Sequence, residues 1–350
     1  MVSIRGVRAP HRRTTGPVRG CLTWRGGPGW GNLRPMTTVL LPTSIPLAPA
    51  LPEGVRAAAY DVDQPVPDDL TDAEALVVWG NATGQLADAA RRMGRLRWVQ
   101  TLAAGPDAVL AAGFAPHVRI TSGRGLHDGP VAEHTLALVL AVARRLPELV
   151  RAQDAHRWAA ELGGMQRLPH EGGEFRSLSG ARVLIWGFGS IAARLAPLLT
   201  VLGAQVIGVA SRPGQRAGYP VITPQEATQA LTGTDVLIGI LPATPTTRRA
   251  LGADVFARLP EHAWVVNVGR GATLDEGALL DAVRAGSIAG AALDVFETEP
   301  LPAASPLWDE PRILITPHAA GGRPVGADTL LADNIGAFVR DEPLRNLVAR

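Results

Sequence analysis

Four residues in the last third of the chain could do acid–base and anion-binding chemistry together: Arg270, Asp294, Glu299 and His318. They fall in three short strings, VVNVGRGATLDEGAL at 265–279, GAALDVFETEP at 290–300 and ILITPH at 313–318. Each string reads as a buried strand with a polar or charged residue just after it. In doubly wound parallel sheets ligands bind outside the carboxyl ends of the strands, so the four side chains are expected to converge on one crevice. Reducing a keto acid needs such a set: a cation to hold the carboxylate and polarise the carbonyl, and a proton donor for the developing alkoxide. The planar guanidinium of Arg270 suits the first task. His318, a residue type that exchanges protons near neutral pH, suits the second, and Glu299 would favour the protonated ring and orient it. Each residue taken singly has an ordinary alternative, because a histidine after Thr-Pro is more often structural and an Arg and a Glu can be a plain surface ion pair. Their joint placement carries the functional reading.

Upstream, the stretch VLIWGFGSIA at 183–192 places Gly187, Gly189 and Ala192 in a G-x-G-x-x-A spacing, with Phe188, Ser190 and Ile191 between them. The first glycine permits a tight turn, the second lets backbone approach a pyrophosphate, and a small third residue lets helix pack on strand. With 39 glycines in 350 residues, Gly-x-Gly recurs by chance. The setting between an apolar run and an amphipathic helix ending at Gly203 is what favours a nucleotide turn over an ordinary one. Ser190 could donate to phosphate or cap the helix. About 20 residues on, an NAD site usually carries an acid for the ribose hydroxyls. Here the strand ends Val209-Ala210-Ser211-Arg212. A hydroxyl and a guanidinium in place of a carboxylate favour NADP over NAD, the alternative being that Arg212 is a solvated loop charge.

The elements that must position these groups come in two alternating series. From Met36 to about His127 the apolar runs are TVLLP, ALVVWG at 75–80, LRWVQTL at 96–102 and VRITS at 118–122, separated by helical-looking segments. From Ala181 a second series follows: ARVLIWG, AQVIGVAS, TDVLIGILP, AWVVNVG, IAGAALDVF and RILITPH. None alternates with period two, as expected of parallel strands covered on both faces. Between the series, VAEHTLALVLAVARRLPELV at 131–150 is apolar nearly all round and reads as one helix buried on several faces, at a subunit or domain interface. Residues 152–177 read as a surface excursion.

Composition sets the bounds. A chain of 350 residues suits two lobes, and 46% hydrophobic with 19% charged residues is globular composition. No uncharged apolar run reaches the roughly 18 residues of a membrane span, so a soluble protein is expected. The net charge is +2, with all 34 basic residues arginine, which argues against a nucleic-acid footprint. Cys21 is the single cysteine, so no internal disulfide is possible and a reducing, cytoplasmic compartment is the simplest expectation. The first 35 residues hold seven arginines and no acid and read as disordered. A transit peptide or a basic arm is open for them, but the preferred reading is that Met36 is the biological start.

The chain from Met36 onward resembles the D-isomer-specific 2-hydroxyacid dehydrogenases, in their glyoxylate/hydroxypyruvate reductase-like branch. LRWVQTLAAGPDAVL is similar to that family's substrate loop, GLHDGPVAEHTLALVLAVARRL to its interdomain helix, and LPATPTTRRAL to the loop passing the cofactor. NVGRGATLDEGALL, GAALDVFETEP and TPH resemble its signatures, and DNIGAFVRDEPLRNLV its closing helix. The resemblance implies an α/β protein of two doubly wound parallel-sheet domains, Rossmann-like or flavodoxin-like, with the active site in the cleft between them. Residues 36–127 plus 319–350 would form the substrate domain and 128–318 the dinucleotide domain. It makes Arg270, Glu299 and His318 catalytic, has the amides of Ala104 and Gly105 bind the substrate carboxylate, and has Asp294 hydrogen-bond the nicotinamide carboxamide. Leu241, Pro242, Thr247 and Val268 would line the cofactor with Gly187, Phe188, Gly189, Ser190, Ile191, Ser211 and Arg212. It implies NAD, or by the departure at Ala210 preferably NADP, no metal, and a homodimer joined through the helix beginning near Val131. A nucleotide-sensing, corepressor-like protein of the same fold is the alternative, and formate- or phosphite-oxidising relatives are less favoured. Substrate identity is not legible; Trp79, Leu102 and Leu126 could be an apolar pocket wall or core.

Overall fold

A short run that is apolar at every position has no side to turn to water, and in a parallel sheet both faces are covered. That is the state of the runs at 75–78, 236–239 and 290–293, each buried at all four positions. The computed structural model describes residues 36–163 and 173–349. The leader 1–35 with Cys21, and residues 164–172 of the expected surface excursion, lie outside the described residues.

The first sheet contains β1 (Thr37–Pro42), β2 (Val55–Tyr60), β3 (Ala75–Val78), β4 (Trp98–Thr101) and β5 (Arg119–Thr121), parallel and in the spatial order β2-β1-β3-β4-β5. Helices α1 (Thr83–Arg92) and α2 (Asp107–Ala111) lie in its crossovers. Successive side chains point to opposite faces. Leu40, Leu76, Val78 and Ile120 therefore enter one core cluster, and Val39, Ala75, Val77 and Trp98 the other. Two helices follow, α3 (Asp128–Ala143) and α4 (Leu146–Asp154). The single helix expected over 131–150 is broken, because Arg145 takes a left-handed φ of 54° and Pro147 stands in the first turn of α4, where no amide is needed.

The second sheet begins with β6 (Arg182–Trp186), α5 (Ser190–Val201), β7 (Gln205–Val209), β8 (Gly214–Arg216) and β9 (Tyr219–Ile222). It continues through α6 (Pro224–Leu231), β10 (Val236–Gly239), α7 (Ala253–Phe256), β11 (Trp264–Asn267), α8 (Glu276–Arg284), β12 (Gly290–Leu293) and β13 (Ile313–Ile315). The spatial order is β13-β12-β11-β10-β6-β7-β9-β8, with only the β8–β9 pair antiparallel. The strand order reverses between β6 and β10, which opens a crevice at their carboxyl ends. Again the faces alternate: Val183 and Ile185 pack with α3 and α5, while Leu184 and Trp186 pack with α6, α7 and α8. The last helix, α9 (Ala327–Val339), returns to the first sheet, where Leu331, Ile335 and Phe338 join the cluster of Val39, Val77 and Trp98. Among the described residues no helix is long and apolar enough to cross a membrane.

Trp98 anchors that return. It is fully buried, its Nε1–H donates to Thr121 Oγ1 at 2.8 Å, and its ring packs 5.4 Å from that of Phe338. Trp98→Ala should lower unfolding stability by roughly 3–5 kcal/mol. A urea midpoint unchanged from wild type would contradict this packing.

Candidate active site

The chain leaves β6 into the glycine turn. Gly187 has φ of +107°, and a Cβ placed on it would overlap the carbonyl oxygen of Ile240 just after β10, so glycine is needed on two counts. At Gly189, the N-cap of α5, an added Cβ would meet nothing within 4 Å, so the space before the helix is open. No side chain caps α5, which leaves its first amides and the positive end of its dipole facing that space. Ala192 is fully buried where helix meets strand. These residues fit a dinucleotide pyrophosphate.

The other turn residues are less uniform. The Phe188 side chain is buried against Gly208 and the ring of Tyr219, so only its backbone belongs to the turn. Ile191 is half-buried against the core. Ser190 does something neither sequence alternative named: its hydroxyl donates to Asp128 Oδ1 at 3.0 Å, tying α5 to the start of α3. Past β7, Ser211 and Arg212 are exposed, and the Arg212 guanidinium has no partner among the described residues. Arg216 on β8 joins it. Its Nη1 donates to Phe188 O at 2.9 Å and its Nη2 to Arg212 O at 3.0 Å. Sequence reading missed Arg216 because the short hairpin that delivers it was missed.

At the ends of β11, β12 and β13 the expected polar residues do come together. His318 Nδ1 lies 2.6 Å from Glu299 Oε2, and Glu299 Oε1 accepts from the amide of Phe296 at 2.9 Å. The carboxylate thus orients the ring, and Nε2 is the end left for another partner. His318 stands in the left-handed region at φ 51°. Its amide donates to Asp294 O at 2.8 Å. Arg270 connects to this pair through its neighbour: a Cβ on Gly271 would overlap the backbone of Phe296, so the two loops touch. The Arg270 Nε donates to Asp107 Oδ2 at 3.1 Å and its Nη1 to Gly269 O at 2.8 Å. A Cβ on Gly105 would overlap Arg270 Nη2, so the guanidinium lies directly against the loop of Ala104 and Gly105. Among the described residues neither of those two amides has an acceptor. Asp107, which sets this placement from across the cleft, had no sequence signal beyond its place in the substrate loop.

The remaining expected residues divide. Asp294 is fully buried, and its oxygens accept from Thr316 Oγ1 at 2.6 Å, Ala319 N at 2.8 Å and Ala320 N at 3.1 Å. His134 Nε2 of α3 stands 3.3 Å from it as well. The carboxylate therefore holds the His318 turn from within. Val268 and Leu241 are buried, whereas Pro242 is exposed at the crevice. Thr247 bonds back to Pro242 O at 2.6 Å and accepts from Thr244 N at 2.9 Å, which folds the loop onto itself. Leu102 and Leu126 belong to the core, and Trp79 stacks on His127.

Comparison with known proteins bears on the family and the fold. Residues 136–320 match the family model of the D-isomer specific 2-hydroxyacid dehydrogenase NAD binding domain. A glyoxylate/hydroxypyruvate reductase A of Serratia proteamaculans is 35% identical over 281 residues, covering 78% of this chain and 85% of the relative. Among solved structures, a D-isomer specific 2-hydroxyacid dehydrogenase from Xanthobacter autotrophicus in complex with NADPH and MES superposes with a TM-score of 0.73 at 32% identity, covering 89% of this chain and 98% of that one. An NADPH-dependent glyoxylate/hydroxypyruvate reductase from Sinorhizobium meliloti, in complex with NADP and sulfate, gives 0.72 at 26% identity, covering 89% and 98%.

The two turn glycines should respond differently to alanine. Gly187→Ala strains the backbone by roughly 1–3 kcal/mol and should lower the melting temperature without cofactor. Gly189→Ala should leave that temperature alone and weaken stabilisation by added NADPH. Equal melting behaviour of the two variants would contradict the assignment of the turn.

Proposed function

This chain belongs to the D-isomer-specific 2-hydroxyacid dehydrogenase family and is an NAD(P)-dependent oxidoreductase; we propose that it reduces a small 2-keto acid to the D-2-hydroxy acid, with NADPH preferred. The observation that carries the reading is the 2.6 Å contact between His318 Nδ1 and Glu299 Oε2, on a loop that touches the loop of Arg270. The nicotinamide, when bound, supplies hydride to C2. Arg270 holds the substrate carboxylate and polarises the carbonyl oxygen, because a planar fork reaches both where a point charge would not. The amides of Ala104 and Gly105 share the carboxylate, and Asp107 keeps the fork aimed. Glu299 holds the proton on His318 Nδ1, so Nε2 gives its proton to the developing alkoxide and takes it back in the reverse direction.

The cofactor is held by the glycine turn of Gly187 to Ile191 and by the crevice side of Leu241, Pro242, Thr247 and Val268. Preference for a 2′-phosphate is supported by Ser211 and by Arg212, exposed and unpaired among the described residues, with Arg216 beside it. Asp294 serves by fixing the turn that carries His318. In this reading residues 36–127 and 319–350 form the substrate lobe and 128–318 the dinucleotide lobe, a division supported by the packing of α9 on the first sheet. A cytoplasmic homodimer joined around α3 is the expected setting, consistent with the exposure of Leu146 and Val150 on α4.

Oxidation of NADPH and NADH should be followed against glyoxylate, hydroxypyruvate, pyruvate and bulkier aromatic or branched 2-keto acids. Turnover of at least one is expected, and tight cofactor binding with no turnover would instead favour a dinucleotide sensor. His318→Ala should lose roughly 10²–10⁴-fold in kcat with NADPH affinity little changed, and near-normal turnover would remove His318 from the proton-transfer role. Arg212→Asp should shift the preference from NADPH toward NADH, and a wild type equally efficient with both would refute the assignment.

A further inference from the structure

His127 is the residue before α3, and it is 4% exposed. Its ring nitrogens face two backbone carbonyls. Nδ1 lies 2.7 Å from Gly321 O and Nε2 lies 2.9 Å from Leu102 O. A carbonyl oxygen only accepts, so each of these contacts needs a proton on the ring nitrogen. A neutral imidazole carries one N–H and would set a lone pair against the second carbonyl. The ring with a proton on both nitrogens donates to both. Trp79 stacks on it with centroids 5.4 Å apart and planes 20° from parallel, an aromatic face of the kind that attracts a cation.

The two carbonyls belong to two segments, distant in sequence, that meet beside the site. Leu102 starts the loop whose Gly105 lies against Arg270, and Gly123 N supports that loop through Ala103 O at 2.8 Å. Gly321 comes three residues after His318, and Val325 N, further along the same segment, donates to Leu126 O at 2.8 Å. The side chain at 127 thus spans from the loop facing the substrate carboxylate to the loop bearing the proton donor.

We propose that His127 is a positioning residue, a doubly protonated strut that holds loop 102–105 in register with the loop of His318. The proposal rests on the reading of this cleft as a 2-keto acid reductase site. His127 touches no substrate in it and acts through the two carbonyls. Its loss should therefore weaken substrate binding more than the chemical step, and leave the dinucleotide turn unaffected.

Two measurements on the full chain test this. In the ¹⁵N-labelled protein without substrate or cofactor, long-range ¹H–¹⁵N spectra near neutral pH should show both ring nitrogens of His127 protonated, the signals being assigned by their loss in His127→Gln. A single protonated nitrogen overturns the strut. In steady-state assays, His127→Leu should raise KM for the 2-keto acid by roughly tenfold or more, with a smaller change in kcat and unchanged NADPH binding. His127→Gln, whose amide nitrogen can donate to one of the two carbonyls, should recover part of the loss. A KM in His127→Leu within about twofold of wild type overturns the proposal. A wild type that turns over no keto acid rejects the functional reading alone, since the ring spectrum still decides the strut.

Discussion

Where the loop of Arg270 meets the loop of Glu299 there is no room for a methyl group: a Cβ at Gly271 would overlap the backbone of Phe296. That contact sets the distance between the cation and the acid–base pair. Phe296 in turn gives its amide to Glu299, and Glu299 gives its other oxygen to His318. Arg270 is pressed from the opposite side as well, since a Cβ on Gly105 would overlap its guanidinium. Close approach at two glycines thus fixes Arg270 between the two sheets' loops, and side chains at either position would push the fork away from the histidine.

The sheet order explains why these groups meet at all. Strands β11, β12 and β13 run side by side, and Arg270, Glu299 and His318 follow their carboxyl ends. The same end of the sheet carries the turn after β6, at the reversal point beside β10. Because both faces of each sheet are covered by helices, the carboxyl-end edge is where polar groups can meet a ligand. The return of α9 to the first sheet then brings the segment after His318 alongside the loops at 102–105 and 123–127, the contact that His127 spans.

How much of this could be read from the sequence depended on the distance over which each feature is set. The turn at 183–192 and the three strand-end strings were legible because a parallel strand covered on both sides is apolar throughout and its functional residue follows at once. β2 was not read as a strand. Val55-Arg56-Ala57-Ala58-Ala59-Tyr60 is an edge strand, half exposed and rich in alanine, a poor strand former. The β8–β9 hairpin escaped for a related reason: its first strand is Gly-Gln-Arg, and its turn residues Ala217 and Gly218, both at positive φ, lack the Asn-Gly signal. Arg216 was lost with it. Asp107 and His127 were lost differently. Their partners lie 163 and 194 residues away, and no local pattern reports such a pairing.

The His318 turn shows how a strained residue is kept in place. A left-handed backbone at a histidine costs on the order of 1–3 kcal/mol. Against it stand three hydrogen bonds from one turn to the Asp294 carboxylate, each worth about 1.5–3 kcal/mol when the acceptor is charged. Burial of that carboxylate is costly by itself, and it becomes tolerable because Thr316, Ala319, Ala320 and His134 surround its oxygens. A carboxylate offers about four acceptor sites, so this one has little capacity left for another donor. Asp294 is therefore better suited to holding the histidine than to meeting a ligand. The backbone strain at His318 persists because the buried acid beneath it gains more from the turn than the turn loses in bending.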